Sequence, residues 1–322
     1  MAQATFEEIS ASDYVSLYNQ GYSINELREA VGCSYSRMRN MLLRSGARLR
    51  TRKEAFRSMI SRHPEWKKQL LKYIISPESR QLSDLKIKLL LLLFTEGGIW
   101  KSKVQFTNNE AILRDFFSML MKEIYNVNTK TNDNVTYINS IEVANDLRTY
   151  NIKEAIPEEV MWKLLKSPQL TREVLRIFAD TEGSVTISVR KAPRNYTVTD
   201  RRIAIACTNT TVKSQLVTLL KSLRITARLG KDGVLISNEH SLREFAQQVG
   251  FSSGIKVIRK KSGYGIWYKC EKAAVLRLLI CTYDEQKTKG RHGRHLGVFR
   301  NCKKKKQVIK ILHSWYDELK GG

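Results

Sequence analysis

The sequence predicts an α+β protein in which one unit, helix, two strands, helix, two strands, helix, occurs twice behind a helical N-terminal module. Three observations lead there. Two apolar helical stretches, residues 85–97 (LKIKLLLLLFTEG) and 174–183 (VLRIFADTEG), end in the same Glu-Gly dipeptide. Each is followed by a stretch of strand character and then by a Thr-Asn pair that opens a helix, FTNNEAILRDFFSMLMKEI in one copy and CTNTTVKSQLVTLLKSLRI in the other. Each copy then continues with a second hairpin (NVNTKTNDNVTYINS, ITARLGKDGVLISN) and a further helix (IEVANDLRTY, SLREFAQQVG).

The elements follow in order. Residues 1–50 predict three short helices. The first covers 13–19, with Ser12 as cap and Gly21 as stop. Ser23 and Glu26 form a capping box that opens a second helix over 24–31, Gly32 supplies a turn, and Ser34 caps a third helix that ends at Gly46. This is the spacing of a helix-turn-helix. Met38, Met41 and Leu42 make its buried stripe, which leaves Tyr35, Ser36, Arg37, Asn40 and Arg44 to enter a major groove. An ordinary helical hairpin is the blander reading, and the charge of the chain counts against it.

Residues 51–84 read as a basic helical linker with breaks at Pro64 and Pro77. The first repeat spans 85–155, a second linker 156–172, and the second repeat 173–254; residues 255–322 form a basic C-terminal extension with an apolar helix over 273–283 and a lysine run at 303–306, suited to phosphate contact. The Thr-Asn pairs at Thr107 and Thr208 lie 101 positions apart and the glutamates, Glu96 and Glu182, 86 apart. The first hairpin of the second repeat is therefore expected to be 15 residues longer, an insertion that a hairpin tip accommodates.

Composition narrows the partners. With 56 Lys and Arg against 31 Asp and Glu, the chain carries +25, spread along its length, and such a field favours a polyanion. No stretch approaches the roughly 20 apolar residues of a spanning helix. The opening MAQATFEEIS lacks a basic-then-apolar pattern, so an intracellular location, cytoplasmic or at the nucleoid, is expected. The 5 cysteines are scattered and form no CxxC pair; His292, His295 and Cys302 sit in GRHGRHLGVFRNCKKKK, which reads as a basic loop rather than a zinc site.

Glu96 and Glu182 are the chemical candidates. A carboxylate at a helix C-terminus faces the partial negative charge of the helix, and the same cost at corresponding places in two repeats points to a compensating cation. Hydrolysis of a phosphodiester needs an activated water and positive charge near the phosphate, and a hard divalent cation supplies both. Mg²⁺, with Mn²⁺ as substitute, would be held by Glu96 and Glu182, main-chain oxygens at Gly97 and Gly183, water and substrate phosphate. Two such helices side by side on a pseudo-twofold would place one site by each strand of a duplex.

LLLLLFTEG and LRIFADTEG resemble the paired motifs of the LAGLIDADG homing endonucleases in their monomeric two-repeat form, and IPEEVMWKLLKSPQLTREVLRIFADTEGSV looks like the segment that joins the halves in archaeal members. The resemblance covers roughly residues 85–251. It implies a duplicated αββαββα fold, two antiparallel sheets forming a saddle over DNA, and motif helices between the halves. The acidic motif position falls on Glu96 and Glu182. The polar residue that positions water near the scissile phosphate falls on Asn108 and Asn209, where family members often carry Gln. A basic residue after the last helix of each half falls near Lys153 and Lys256. The family's small residues early in the motif are replaced here by Leu90, Leu91, Arg176 and Ile177, so the helices are expected to pack wider or shifted by a turn.

Two-stranded ribbons present alternate side chains to base edges in a major groove. The long hairpin of the second half offers Arg190, Lys191, Arg194, Asn195, Tyr196, Arg201 and Arg202; the first half offers Lys101, Lys103 and Gln105. The expected partner is double-stranded DNA, with no membrane, no obligate protein partner and a monomeric chain. A non-cleaving transcription regulator and an intron maturase on the same scaffold are the competing functions.

Overall fold

The computed structural model describes residues 10–62, 75–152, 154–191, 197–258, 267–287 and 305–320. The chain divides into two compact units, residues 1–74 and 75–322.

The first unit contains α1 (Ala11–Asn19), α2 (Ile24–Val31), α3 (Tyr35–Arg44) and α4 (Arg52–Arg62). The cap of α1 is Ser10, not Ser12: its hydroxyl accepts from the Asp13 amide while the Asp13 carboxylate accepts from the Ser10 amide. The reciprocal pair satisfies two amides that a helix start leaves open. Ser23 and Glu26 close the same box on α2, and Gly32 ends that helix at φ +67°, a left-handed conformation that disfavours other side chains. Met38 and Leu42 are fully buried with Tyr14, Tyr18, Leu27 and Ala47. Burying two such side chains contributes roughly 1.5–3 kcal/mol each. The end of the module and the start of the expected linker fold back onto this core. The Arg50 amide donates to the Tyr18 hydroxyl at 2.8 Å, and Arg62 both pairs with Glu26 at 3.1 Å and lies 3.3 Å over the Tyr22 ring.

The second unit begins with α5 (Asp84–Glu96), β1 (Gly97–Ile99), β2 (Lys103–Thr107), α6 (Ala111–Tyr125), β3 (Lys130–Asn132), β4 (Val135–Asn139) and α7 (Ile141–Arg148). After α8 (Glu158–Lys166) the order repeats: α9 (Pro168–Glu182), β5 (Gly183–Lys191), β6 (Thr197–Ala206), α10 (Thr210–Ser222), β7 (Arg228–Gly230), β8 (Gly233–Ile236) and α11 (Glu239–Gln248). Each half holds one four-stranded antiparallel sheet, ordered β1-β2-β4-β3 and β5-β6-β8-β7. The duplicated αββαββα arrangement is thus present in full. No described helix is long and apolar enough to cross a membrane.

Helix α5 is apolar all round because it serves two cores. Leu89, Leu90, Leu92 and Leu93 belong to the first half, whereas Ile87 and Leu91 join the second. Ile177 of α9 returns the exchange by packing in the first core. The two helices lie against each other, with the Phe94 and Phe178 rings edge to face at 6.1 Å. Arg176 of α9 donates from Nε to the Val249 carbonyl at 2.6 Å.

Sheet register corrects the length of the insertion. Gly97 pairs with Phe106 and Gly183 with Ile205, so the first hairpin of the second half is longer by 13 residues, not 15. The C-terminal region is also not a mere extension. Trp267 is fully buried and donates from Nε1 to the Ile187 carbonyl at 3.0 Å, and α12 (Lys272–Lys287) and α13 (Lys305–Lys320) pack on β5. Val275, Leu278, Leu279, Val308 and Leu312 complete the core of the second half.

Candidate carboxylate site and nucleic-acid interface

Each motif helix passes straight into a strand. Gly97 and Gly183 adopt ordinary extended angles, so what requires glycine is close approach: an added Cβ would lie 2.5 Å from Leu93 Cα in one case and 2.2 Å from the Ala179 carbonyl oxygen in the other. The turn leaves Glu96 and Glu182 at the helix ends, and both line one cavity of about 540 Å³ between the two halves. Thr107, Asn108, Glu110, Asp180, Gly183, Ser184, Arg202, Lys256 and Lys272 also line it. Gly183 reaches the cavity wall and Gly97 does not.

The two ends are unequal. Asn108 donates from Nδ2 to Glu96 Oε2 and accepts the Glu110 amide on Oδ1 at 2.7 Å, so its orientation is fixed at both ends. Asn209 is bonded differently. Its Oδ1 caps α10 by accepting from the Val212 amide at 3.1 Å, and its Nδ2 donates to the Glu154 carbonyl at 2.7 Å. The register explains the correction. With Phe106 matched to Ile205, the position equivalent to Asn108 is Cys207, and Asn209 falls opposite Glu110, the cap residue of α6. The Cys207 thiol donates to the Asn209 carbonyl at 3.5 Å. Burial pushes that thiol up, the nearby Glu182 carboxylate adds to the rise, and Lys213 opposes it.

Charge is held expensively here. Burial raises Glu96, opposed by the Asn108 amide and by Lys272. Burial likewise raises Asp180, although Ser252 donates both its amide (2.9 Å) and its hydroxyl (2.5 Å) to that carboxylate. Desolvation disfavours the ionised form in each case. Lys272 opens α12 and is only 5% exposed; its ammonium donates to the Asp180 carbonyl at 2.8 Å and the Ala179 carbonyl at 3.3 Å. Burial brings it down to about 8 against the opposing field of Asp180, Glu110, Glu96 and Glu182. Sequence reasoning missed this residue, which no motif marks and which lies 92 positions from Asp180.

Whether a divalent cation fits can be judged from the donors. Among the described residues no group of three or more His, Cys, Asp or Glu side chains is arranged to hold a metal. Two carboxylates with main-chain oxygen, water and phosphate suit Mg²⁺ or Mn²⁺, which keep several waters.

The open sheet faces carry part of the expected DNA-contacting set. In β2, Val104 and Phe106 turn into the core, so Lys103 and Gln105 stand on the other face, where Lys103 lies 4.6 Å over the Tyr137 ring. Lys101 is exposed in the β1–β2 turn, and its carbonyl accepts from Arg148 Nη2 at 3.1 Å. Arg202 is exposed and lines the cavity. Arg201 is a correction. It shares the face of Ile203 and Ile205, and donates to the Thr282 hydroxyl at 2.8 Å and the Thr282 carbonyl at 3.3 Å with its guanidinium 4.0 Å over Tyr283. Alternation along the strand puts it under α12, away from any duplex on the open face.

Arg190 and Lys191 close β5, but their side chains, like Lys153, Arg194, Asn195 and Tyr196, lie outside the described residues. Lys256 is exposed at the cavity, its amide 3.4 Å from Glu110 Oε1. In the first unit Tyr35, Ser36, Arg37, Asn40 and Arg44 are all exposed on α3, opposite Met38 and Leu42.

No protein-family model matches the sequence, and no curated protein matches it either. Solved structures do. A mesophilic variant of the homing endonuclease I-DmoI matches at 13% identity over 55% of this chain and 94% of its own, with a TM-score of 0.39. The meganuclease I-SmaMI, bound to uncleavable DNA, matches at 12% over 70% of this chain and 97% of its own, with a TM-score of 0.41. The N-terminal LAGLIDADG domain of DUF199/WhiA matches at 15% over 57% of this chain and 92% of its own, with a TM-score of 0.34.

Proposed function

We propose that the chain is a site-specific DNA endonuclease that makes metal-dependent breaks in both strands of a duplex by phosphodiester hydrolysis, acting as a monomer. One observation carries the reading: Glu96 and Glu182, at the ends of two packed helices of equivalent halves, line a single cavity beside the open faces of two antiparallel sheets. The net charge of +25 suits the partner.

Glu96 and Glu182 would hold Mg²⁺, with Mn²⁺ as substitute, aided by main-chain oxygen at Gly183. The bound cation supplies charge neutralisation at the phosphate and an acidified water. Asn108 fixes the Glu96 carboxylate by donating to it, so that carboxylate does not reorient when the substrate arrives. Lys256 is placed at the cavity to meet a phosphate. Lys103, Gln105 and Arg202 contact the duplex from the sheets, and Tyr35, Ser36, Arg37, Asn40 and Arg44 read a separate stretch of major groove from α3.

A second reading, a DNA-binding regulator that does not cut, is favoured by the lysine among the carboxylates and by Cys207 standing where the first half has Asn108. A DNA library incubated with Mg²⁺ separates the two. The nuclease reading requires sequence-specific double-strand cuts that Glu96→Gln and Glu182→Gln each remove while binding persists. Tight, sequence-specific binding by the intact chain without any cut would establish the regulator.

A further inference from the structure

The C-terminal end of α9 carries more negative charge than a helix end tolerates unaided. Its last turn contains Asp180 and Glu182 and no basic residue, Glu96 and Glu110 face the same cavity, and the helix adds the partial negative charge of its open carbonyls. A cation must stand there, and one does. Lys272 brings its ammonium onto the Ala179 and Asp180 carbonyls, nearly sealed from solvent. Its backbone is anchored as firmly: the Lys272 amide donates to the Ile255 carbonyl at 2.8 Å, and Ile255 packs in the core of the first half. The charge is therefore tied to the end of α9 and, through Ile255, to the core of the first half.

We infer that the Lys272 ammonium is a built-in counter-ion at the end of α9 that takes the place of one divalent cation, leaving the carboxylate pair to hold one ion fewer than two equivalent half-sites would. The inference deepens the proposed site and rests on Glu96 and Glu182 being its metal ligands. Lys272 is a positioning residue: it contacts the helix end and the field of the carboxylates, not the phosphate.

The test counts ions on the full chain without DNA, using Mn²⁺ followed by electron paramagnetic resonance. Lys272→Met is expected to bind one Mn²⁺ more than the unaltered chain, and Lys272→Arg the same number as the unaltered chain. Equal counts for the unaltered chain and Lys272→Met overturn the inference. Melting with and without Mn²⁺ covers the case in which Lys272→Met folds poorly. A larger rise in Tm on adding Mn²⁺ than the unaltered chain shows supports the inference, because the metal then fills the place of the ammonium; a variant that stays unfolded at saturating Mn²⁺ overturns it. Neither readout involves cutting. If the chain bound DNA but never cleaved it, the nuclease reading would fall and the ion count would still decide the role of Lys272.

Discussion

Asn108 and Cys207 occupy one position in two halves: the amide of each donates to a turn carbonyl of the following hairpin, Asn134 at 2.9 Å and Asp232 at 3.0 Å. Their side chains then do different work, since Asn108 donates to Glu96 and Cys207 to a neighbouring main-chain carbonyl. Asn108→Ala removes a hydrogen bond to a carboxylate, a loss of about 1.5–3 kcal/mol, or roughly 10- to 150-fold in rate if fully expressed at the transition state. The expected outcome is strand-selective: cutting slows on the strand served by Glu96, while the other strand and duplex affinity change little. Strand-resolved product analysis on end-labelled duplex reads it, and equal slowing of both strands would sink the assignment.

Asn209 gives the opposite result. Because both polar atoms of its side chain are spent on the α10 cap and on the Glu154 carbonyl, Asn209→Ala should cost about 1 kcal/mol of stability. Cleavage per folded molecule should be unchanged. Denaturant midpoints alongside single-turnover rates check both halves of the statement, and a slow, fully stable variant would restore Asn209 to the chemistry.

These two asparagines also mark where sequence reading stopped. The apolar motif helices and their Glu-Gly ends were legible because a helix apolar all round and a helix-to-strand turn that admits only glycine both leave a local signature. The Thr-Asn pair misled because a dipeptide recurs without occupying the same place: hairpin register, set by hydrogen bonds, shifts the match by two residues and converts a site residue into a helix cap. Lys272 left no local trace, since its function depends on an approach across 92 positions from a lysine-rich region. Arg201 was recoverable, because Ile203 and Ile205 share its parity along β6 and fix its face.

Adjacent arginines on β6 should therefore separate stability from binding. Arg201→Ala removes the guanidinium's hydrogen bonds to the Thr282 hydroxyl and carbonyl and its packing on Tyr283, at a cost of about 1–3 kcal/mol in stability. Arg202→Ala should instead weaken duplex binding and lower the slope of log affinity against log salt by about 1, with little change in melting temperature. Salt titrations of binding and thermal melts on both variants test the pair, and a reversal of the two phenotypes would mean the duplex lies on the α12 side of the sheet.

The N-terminal helical module supplies a prediction independent of the carboxylates. Arg37 and Asn40 are exposed on α3 while Met38 and Leu42 anchor it, so Arg37→Ala and Asn40→Ala can alter recognition without unfolding the module. Loss of a base contact is expected to cost about 1–3 kcal/mol and to relax preference at one or two base pairs. Selection from a random library by the full-length variants reads the relaxed positions. Unchanged preference with unchanged affinity would reduce the module to a helical bundle without a DNA role.

Lys86 makes stability depend on pH away from the cavity. It is fully buried in α5, pairs with Asp146 at 2.7 Å, and lies 5.5 Å from the Tyr125 ring centroid; Tyr125 donates its hydroxyl to the same carboxylate at 2.5 Å. Burial holds the ammonium below the ordinary lysine value despite the opposing pull of Asp146. The unfolded chain then keeps a proton, up to roughly pH 10.4, through a window in which the folded chain has already released it. Where the unfolded state binds more protons, stability rises with pH, so the folded form should gain as pH climbs through that window and level off above it. Denaturant unfolding from pH 8 to 10.5, compared between the unaltered chain and Lys86→Met, isolates the effect. The difference between the two should change with pH only inside the window, and a difference that stays flat throughout would show that Asp146 fully offsets the desolvation of Lys86.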